Sequence, residues 1–124
     1  MSPARKAERI AALNDALRSR VGVPVFLGPG EPRLGTVMMT RGIMALAPET
    51  IINVWAAVRR FDNFTGDNDP YGEHDFGAIE IEGVGKIFWK VDYYADETCE
   101  YGSEDPDDPL KSFRVLTILR AEEY

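Results

Sequence analysis

The sequence predicts an α+β fold, with two helices packed on an antiparallel sheet that ends in a three-strand meander. Two observations predict it. Apolar residues recur every three to four positions in the first half of the chain, the period of a helix, and every second position in much of the later half, the period of half-buried strands. The helical segments are also set apart from most of the strands instead of alternating with them, which is the order of an α+β domain. With 124 residues, 44% of them hydrophobic and 28% charged, residues 1–124 are expected to form one domain around a single core.

Ser2 and Pro3 read as an N-cap and a first-turn proline, and Ile10, Leu13 and Leu17 follow at helical spacing, so a first helix is expected over about 3–20. Gly22 ends it. The stretch GVPVFLGPGEPRLG holds seven Gly or Pro residues among fourteen, which marks an extended connector around a short apolar patch. TVMMT at 36–40 reads as a strand. Pro48 suits a first helical position, Glu49 lies beside the N-terminal dipole, and Ile51, Trp55 and Val58 share one face, predicting a second helix over 48–60. GAIEIE at 77–82 and KIFWKVDYY at 86–94 then alternate apolar and polar residues about the turn GVG, the pattern of a hairpin. An acidic, proline-rich loop follows, and SFRVLTILRA at 112–121 supplies the third strand of the meander.

Charge is unevenly distributed. Residues 62–108 carry 15 of the 21 acids against two bases, Lys86 and Lys90, a balance of −13 within a chain of net charge −7. The first twenty residues run the other way, with five bases and two acids. The overall balance argues against non-specific attachment to nucleic acid or anionic lipid. No stretch approaches the roughly 18 apolar residues of a membrane span, and the N-terminal twenty lack an apolar leader core, so a cytoplasmic location is expected. The one cysteine, Cys99, cannot form an internal disulfide, and between Glu97 and Glu100 it is a poor candidate nucleophile.

FDNFTGDNDPYGEHDF at 61–76 concentrates the chemistry, and three readings of it compete. The first is a metal site. Asp67, Asp69, Gly72 and Asp75 fall at positions 1, 3, 6 and 9 of a calcium loop, but Tyr71 and Ala78 occupy positions that should hold ligands and a strand follows where a helix should. A less regular divalent-metal site, or a metal-dependent hydrolase, would use Asp67, Asp69, Glu73, His74 and Asp75. The second is an acidic face for a basic, nucleic-acid-binding protein, with Asp67, Asp69, Glu73, Asp75, Glu104, Asp105, Asp107 and Asp108 supplying the field and Tyr71 and Tyr101 as anchors. The third is a solvated loop pinned by Asx turns at Asn68, Asp69, Pro70 and Gly72. An acyl-transfer triad would need His74, the single histidine, with Ser103 and Asp75 as its candidate partners, and the sequence has no G-x-S-x-G, P-loop, G-x-G-x-x-G or C-x-x-C. No cofactor and no catalytic residue is therefore expected on the acidic-face reading, and an enzyme is the less favoured class.

The blocks FDNFTGDNDPYGEHDFG, KIFWKVDYY, YGSEDPDDP and RVLTILRAEEY resemble an uncharacterised bacterial family, a domain of unknown function, alphaproteobacterial and plasmid-associated. The resemblance runs from IAALNDALR at residue 10 to the terminal AEEY, with the connector VPVFLGPGEPRLG less typical of it. It implies no fold, activity or catalytic residue. Its plasmid setting implies a context in which small acidic proteins block host defence by occupying DNA-binding grooves. The function expected is thus an acidic protein-binding module, an anti-CRISPR or anti-restriction inhibitor acting as a DNA mimic, with the divalent-metal protein as the alternative.

Overall fold

A computed structural model describes residues 2–124. Helix α1 spans Pro3–Arg18, and Ser2 caps it by accepting a hydrogen bond from the Arg5 amide. Strand β1 (Gly35–Met39) leads into a one-turn helix α2 (Arg41–Met44) and then α3 (Pro48–Arg60). Strands β2 (Phe76–Ile81), β3 (Gly85–Tyr94) and β4 (Phe113–Arg120) follow, and a 3-10 turn covers Ala121–Glu123.

The α+β class is as expected, and β2, β3 and β4 are antiparallel neighbours in chain order. The sheet as a whole is mixed, not antiparallel: its order is β1-β4-β3-β2, and β1 lies parallel to β4. The correction has a topological cause. The period of TVMMT identifies a strand without naming its neighbour, and the chain returns beside it only after α2, α3 and the β2–β3 hairpin have intervened. α2 was also unexpected, because one turn is too short to show a period.

Alternation along the strands sends one set of side chains beneath the helices. Val37, Met39, Leu116, Ile118, Ile87, Trp89, Val91 and Ile79 join Leu17 of α1 and Val54 and Val58 of α3 in the core. Trp89 is fully buried, flanked by the edges of Phe61 at 5.5 Å and Phe64 at 6.2 Å. Gly77 pairs with Trp89 across the β2–β3 ladder, and any Cβ there would strike the indole and the Phe61 ring. The buried stripe of α1 is Ile10, Ala11, Asn14, Leu17 and Arg18, so two polar side chains stand within it. On the opposite face of the sheet Tyr124 folds back to meet the edges of Phe88 and Phe76. Among the described residues no helix is long and apolar enough to cross a membrane.

Candidate functional site

The buried polar residues of α1 point at the acidic loop. Asn14 is fully buried and bonds three neighbours: its amide donates to the Glu73 carbonyl at 3.0 Å and the Tyr93 hydroxyl at 2.8 Å, and its oxygen accepts from Arg114 Nε at 2.6 Å. The Tyr93 hydroxyl has one proton, which it donates to Glu73 Oε1 at 2.9 Å. Arg114 is likewise fully buried and donates to Ser112 Oγ at 3.0 Å and to the Pro106 carbonyl, with its guanidinium 5.1 Å from the Tyr93 ring centre. Burial raises the Tyr93 hydroxyl above its ordinary pKa, the Asn14 bond opposing and the Glu73 charge adding to it. Burial also lowers the Arg114 guanidinium, partly offset by Tyr93, Glu73 and Asp107, and it stays protonated. One network therefore joins α1, β3, β4 and both acidic segments.

A second set of bonds holds the first loop. His74 has a left-handed backbone, φ 56°, which costs a residue with a Cβ on the order of 1 kcal/mol or more. Three contacts hold it there. Its amide donates to Asp69 Oδ1 at 3.1 Å, its ring stacks on Phe64 at 3.8 Å and 2°, and its Nδ1 lies 2.9 Å from Asp15 Oδ1. A carboxylate can only accept, so Nδ1 carries the proton. Asp15 also accepts from Arg18 Nη2 at 2.9 Å, and Arg18 in turn donates to the carbonyls of Val58, Arg59 and Phe61 at the end of α3. Asn68 adds turn chemistry, accepting from the Thr65 amide at 2.8 Å and donating to the Asn63 carbonyl at 2.7 Å.

Outside these networks, α1 and the two acidic segments enclose an open cleft of about 630 Å³. Lys6 and Ile10 form its α1 wall, Tyr71 and Glu73 come from the first loop, and Glu104 and Pro106 from the second. Arg9 Nη2 donates to the Asp107 carbonyl at 3.5 Å, so the basic end of α1 is brought against acidic chain.

The family described as "Protein of unknown function (DUF3768)" matches residues 39–123, more than half of the chain. The chain belongs to that family. The DUF3768 match begins at Met39, so both acidic loops lie inside it while α1, with Asn14, Asp15 and Arg18, lies outside. It is shorter than the resemblance, which began at residue 10. No curated protein and no solved structure matches the chain.

Of the expected partner-binding residues, Tyr71, Glu73 and Glu104 share the cleft. Asp67, Asp105 and Tyr101 are exposed away from its lining, and Asp107 and Asp108 are half-buried. Asp108 is used locally, accepting from the Leu110 amide at 2.9 Å. Asp69 is only 8% exposed and is used internally by His74. Asp75 is half-buried, and its carboxyl is raised above the usual range by burial first and by the charge of Glu73 second.

Of the residues named for a metal, Glu73 accepts from Tyr93, Asp69 accepts from the His74 amide, and His74 Nδ1 bonds Asp15. Among the described residues, no group of three or more His, Cys, Asp or Glu side chains is placed to hold a metal ion. His74 takes Asp15 as its carboxylate, not Asp75, and Ser103 Oγ donates to the Lys111 carbonyl at 2.8 Å.

Asn14, Asp15, Arg18 and Arg114 were missed as site residues. Three of them carried a readable signal. Asn14 and Arg18 sit one turn apart beside the apolar positions Ile10 and Leu17, and Arg114 is in phase with Leu116 and Ile118 on β4.

Proposed function

We propose that the chain is a small acidic interaction module that offers its carboxylates to the basic surface of a nucleic-acid-binding protein. The finer form of the proposal is a DNA mimic that blocks a restriction or CRISPR nuclease, in the plasmid-borne bacterial setting that the family resemblance suggests. The observation that carries it is the shared cleft, in which Tyr71 and Glu73 of one acidic loop stand with Glu104 and Pro106 of the other. Asp62, Asp67, Asp96, Glu97, Glu100 and Asp105 are exposed and add to the same sign of field. Such a field raises the rate of encounter with a cationic surface more than it raises affinity, and salt screens it. Tyr71, 78% exposed, gives the face a rigid amphipathic contact of the kind that carries binding energy. Asp69 and Asp75 are better read as support for the loop, since one is buried and the other half-buried.

Inhibition of DNA cleavage tests this reading, with purified restriction and CRISPR nucleases as a panel and the chain titrated from about 50 to about 500 mM salt. At least one nuclease should be inhibited at low salt, with potency falling at least tenfold across that range. Glu104→Lys combined with Asp105→Lys should abolish inhibition without lowering the melting temperature, since it relieves repulsion among the acids. Absence of inhibition throughout the panel, or potency indifferent to salt and to charge reversal, overturns it.

A further inference from the structure

Strand β1 is an edge of the sheet. Arg114 N–H donates to the Leu34 carbonyl at 2.9 Å and Thr40 N–H to the Ile118 carbonyl at 3.1 Å, so the even-numbered residues face β4. The amides and carbonyls of Gly35, Val37 and Met39 therefore point to the outer side. Native edges are usually blunted by lysine, proline or a bulge, and GTVMM contains none of these.

The ground beside this edge is apolar and hollow. A cleft of about 300 Å³ separates β1 from the connector, walled by Leu17, Val25, Leu27 and Leu34 with Arg20 and Arg33 on its sides. A second groove of about 370 Å³ continues past Met39 over Met44, Ile52 and Trp55. Phe26 is 91% exposed beside the first, Met38 54% on the strand, and Met44 58% at the far end. Exposed Val25 and Leu27 line the first groove and exposed Met44 and Ile52 the second, and exposed apolar side chains grouped in this way mark an interaction site.

Charge selects the occupant. Arg20 and Arg33 both line the first groove, the Arg33 guanidinium lying 5.5 Å from the Phe113 ring centre, so a strand added along Gly35–Met39 meets cationic side chains at its groove end. Arg20 stands across the groove, 3.8 Å from Glu31, the one acid between Val21 and Met39. The β1 strand of a second copy, GTVMM, would bring no carboxylate to these arginines. An extended peptide with an acidic end would.

We propose that the free edge of β1 is a docking site for an extended peptide of alternating apolar residues with an acidic end, added as a fifth strand. The site is separate from the acidic cleft and independent of the function proposed for it. Its ladder bonds supply affinity, the two grooves receive alternate side chains, and Arg20 and Arg33 choose the acidic end.

Amide exchange in the isotope-labelled full chain tests it, with a blocked peptide of alternating valine and threonine between terminal aspartates as the probe. Exchange at Gly35, Val37 and Met39 should slow at least tenfold at millimolar peptide. N-methylation of alternate peptide residues should remove the protection, because it deletes the ladder donors. Arg33→Glu should weaken binding at least tenfold while leaving the melting temperature in place, since Arg33 is exposed. No slowing at these three amides overturns the proposal. Slowing without peptide that grows with chain concentration also overturns it, by assigning the edge to a second copy, as does protection of the same amides by duplex DNA in place of peptide.

Discussion

Asn14 satisfies the Glu73 carbonyl, the Tyr93 hydroxyl and the Arg114 guanidinium together, and of these Arg114 is fully buried, out of reach of water that could replace the bond. Asn14→Ala should destabilise the fold by about 2–4 kcal/mol, because a buried donor on a charged group is left unmet. Thermal or denaturant unfolding reads this directly. Replacing the pair together, Asn14→Leu with Arg114→Met, should cost less than the sum of the single changes, since no buried charge is then stranded. Strict additivity would mean that the two side chains act separately.

Asp75 sends the opposite signal. Its carboxyl pKa is raised in the folded state, so the folded chain holds that proton more tightly than the unfolded one. Its contribution favours folding at acid pH and is lost as pH rises from the ordinary aspartate value through the raised one. Asp75→Asn should therefore raise the melting temperature at neutral pH, by roughly 1–3 °C given that a half-exposed charge is screened, and the gain should vanish on acidification. A gain that persisted at low pH would assign the effect to packing instead of charge.

At the scale of elements, what could be read from the chain follows from how far each determinant reaches. The hairpin of β2 and β3 was evident because Ile79 and Ile81 alternate with Glu80 and Glu82, and Ile87, Trp89 and Val91 continue the same phase across a tight turn. α1 and α3 were evident from their prolines and from apolar spacing, although the buried stripe of α1 proved to contain Asn14 and Arg18. The parallel pairing of β1 with β4 was not evident, since it depends on a partner more than seventy residues away: Gly35 meets Arg114, and the register leaves no room there for a Cβ. The loop at 61–75 stands out by composition, and turn chemistry at Asn68 and Asp69 is part of its structure. Its anchoring pair was hidden, because His74 and Asp15 are 59 positions apart and nothing local marks Asp15 as different from any helical aspartate.

At the scale of the whole molecule, the fold lays the basic end of α1 against the acidic segments, so two electrostatic terms oppose each other. Attraction acts between α1 and the loops, where Lys6 shares the cleft with Glu73 and Glu104. Repulsion acts among the 15 acids of residues 62–108, which have only Lys86 and Lys90 in the same stretch. Two carboxylates about 7 Å apart in water repel by roughly 0.6 kcal/mol, and many such pairs outnumber the few attractive ones. Repulsion should win, so the melting temperature should rise as salt goes from about 20 to about 500 mM, where the screening length drops below the spacing of surface charges. Lys6→Glu removes one attraction and adds repulsion. It should lower the melting temperature at low salt, with the deficit shrinking as salt is added. A wild-type melting temperature that fell with salt would reverse the ranking: the contact between α1 and the loops, and not the crowding of acids, would then be the dominant surface term.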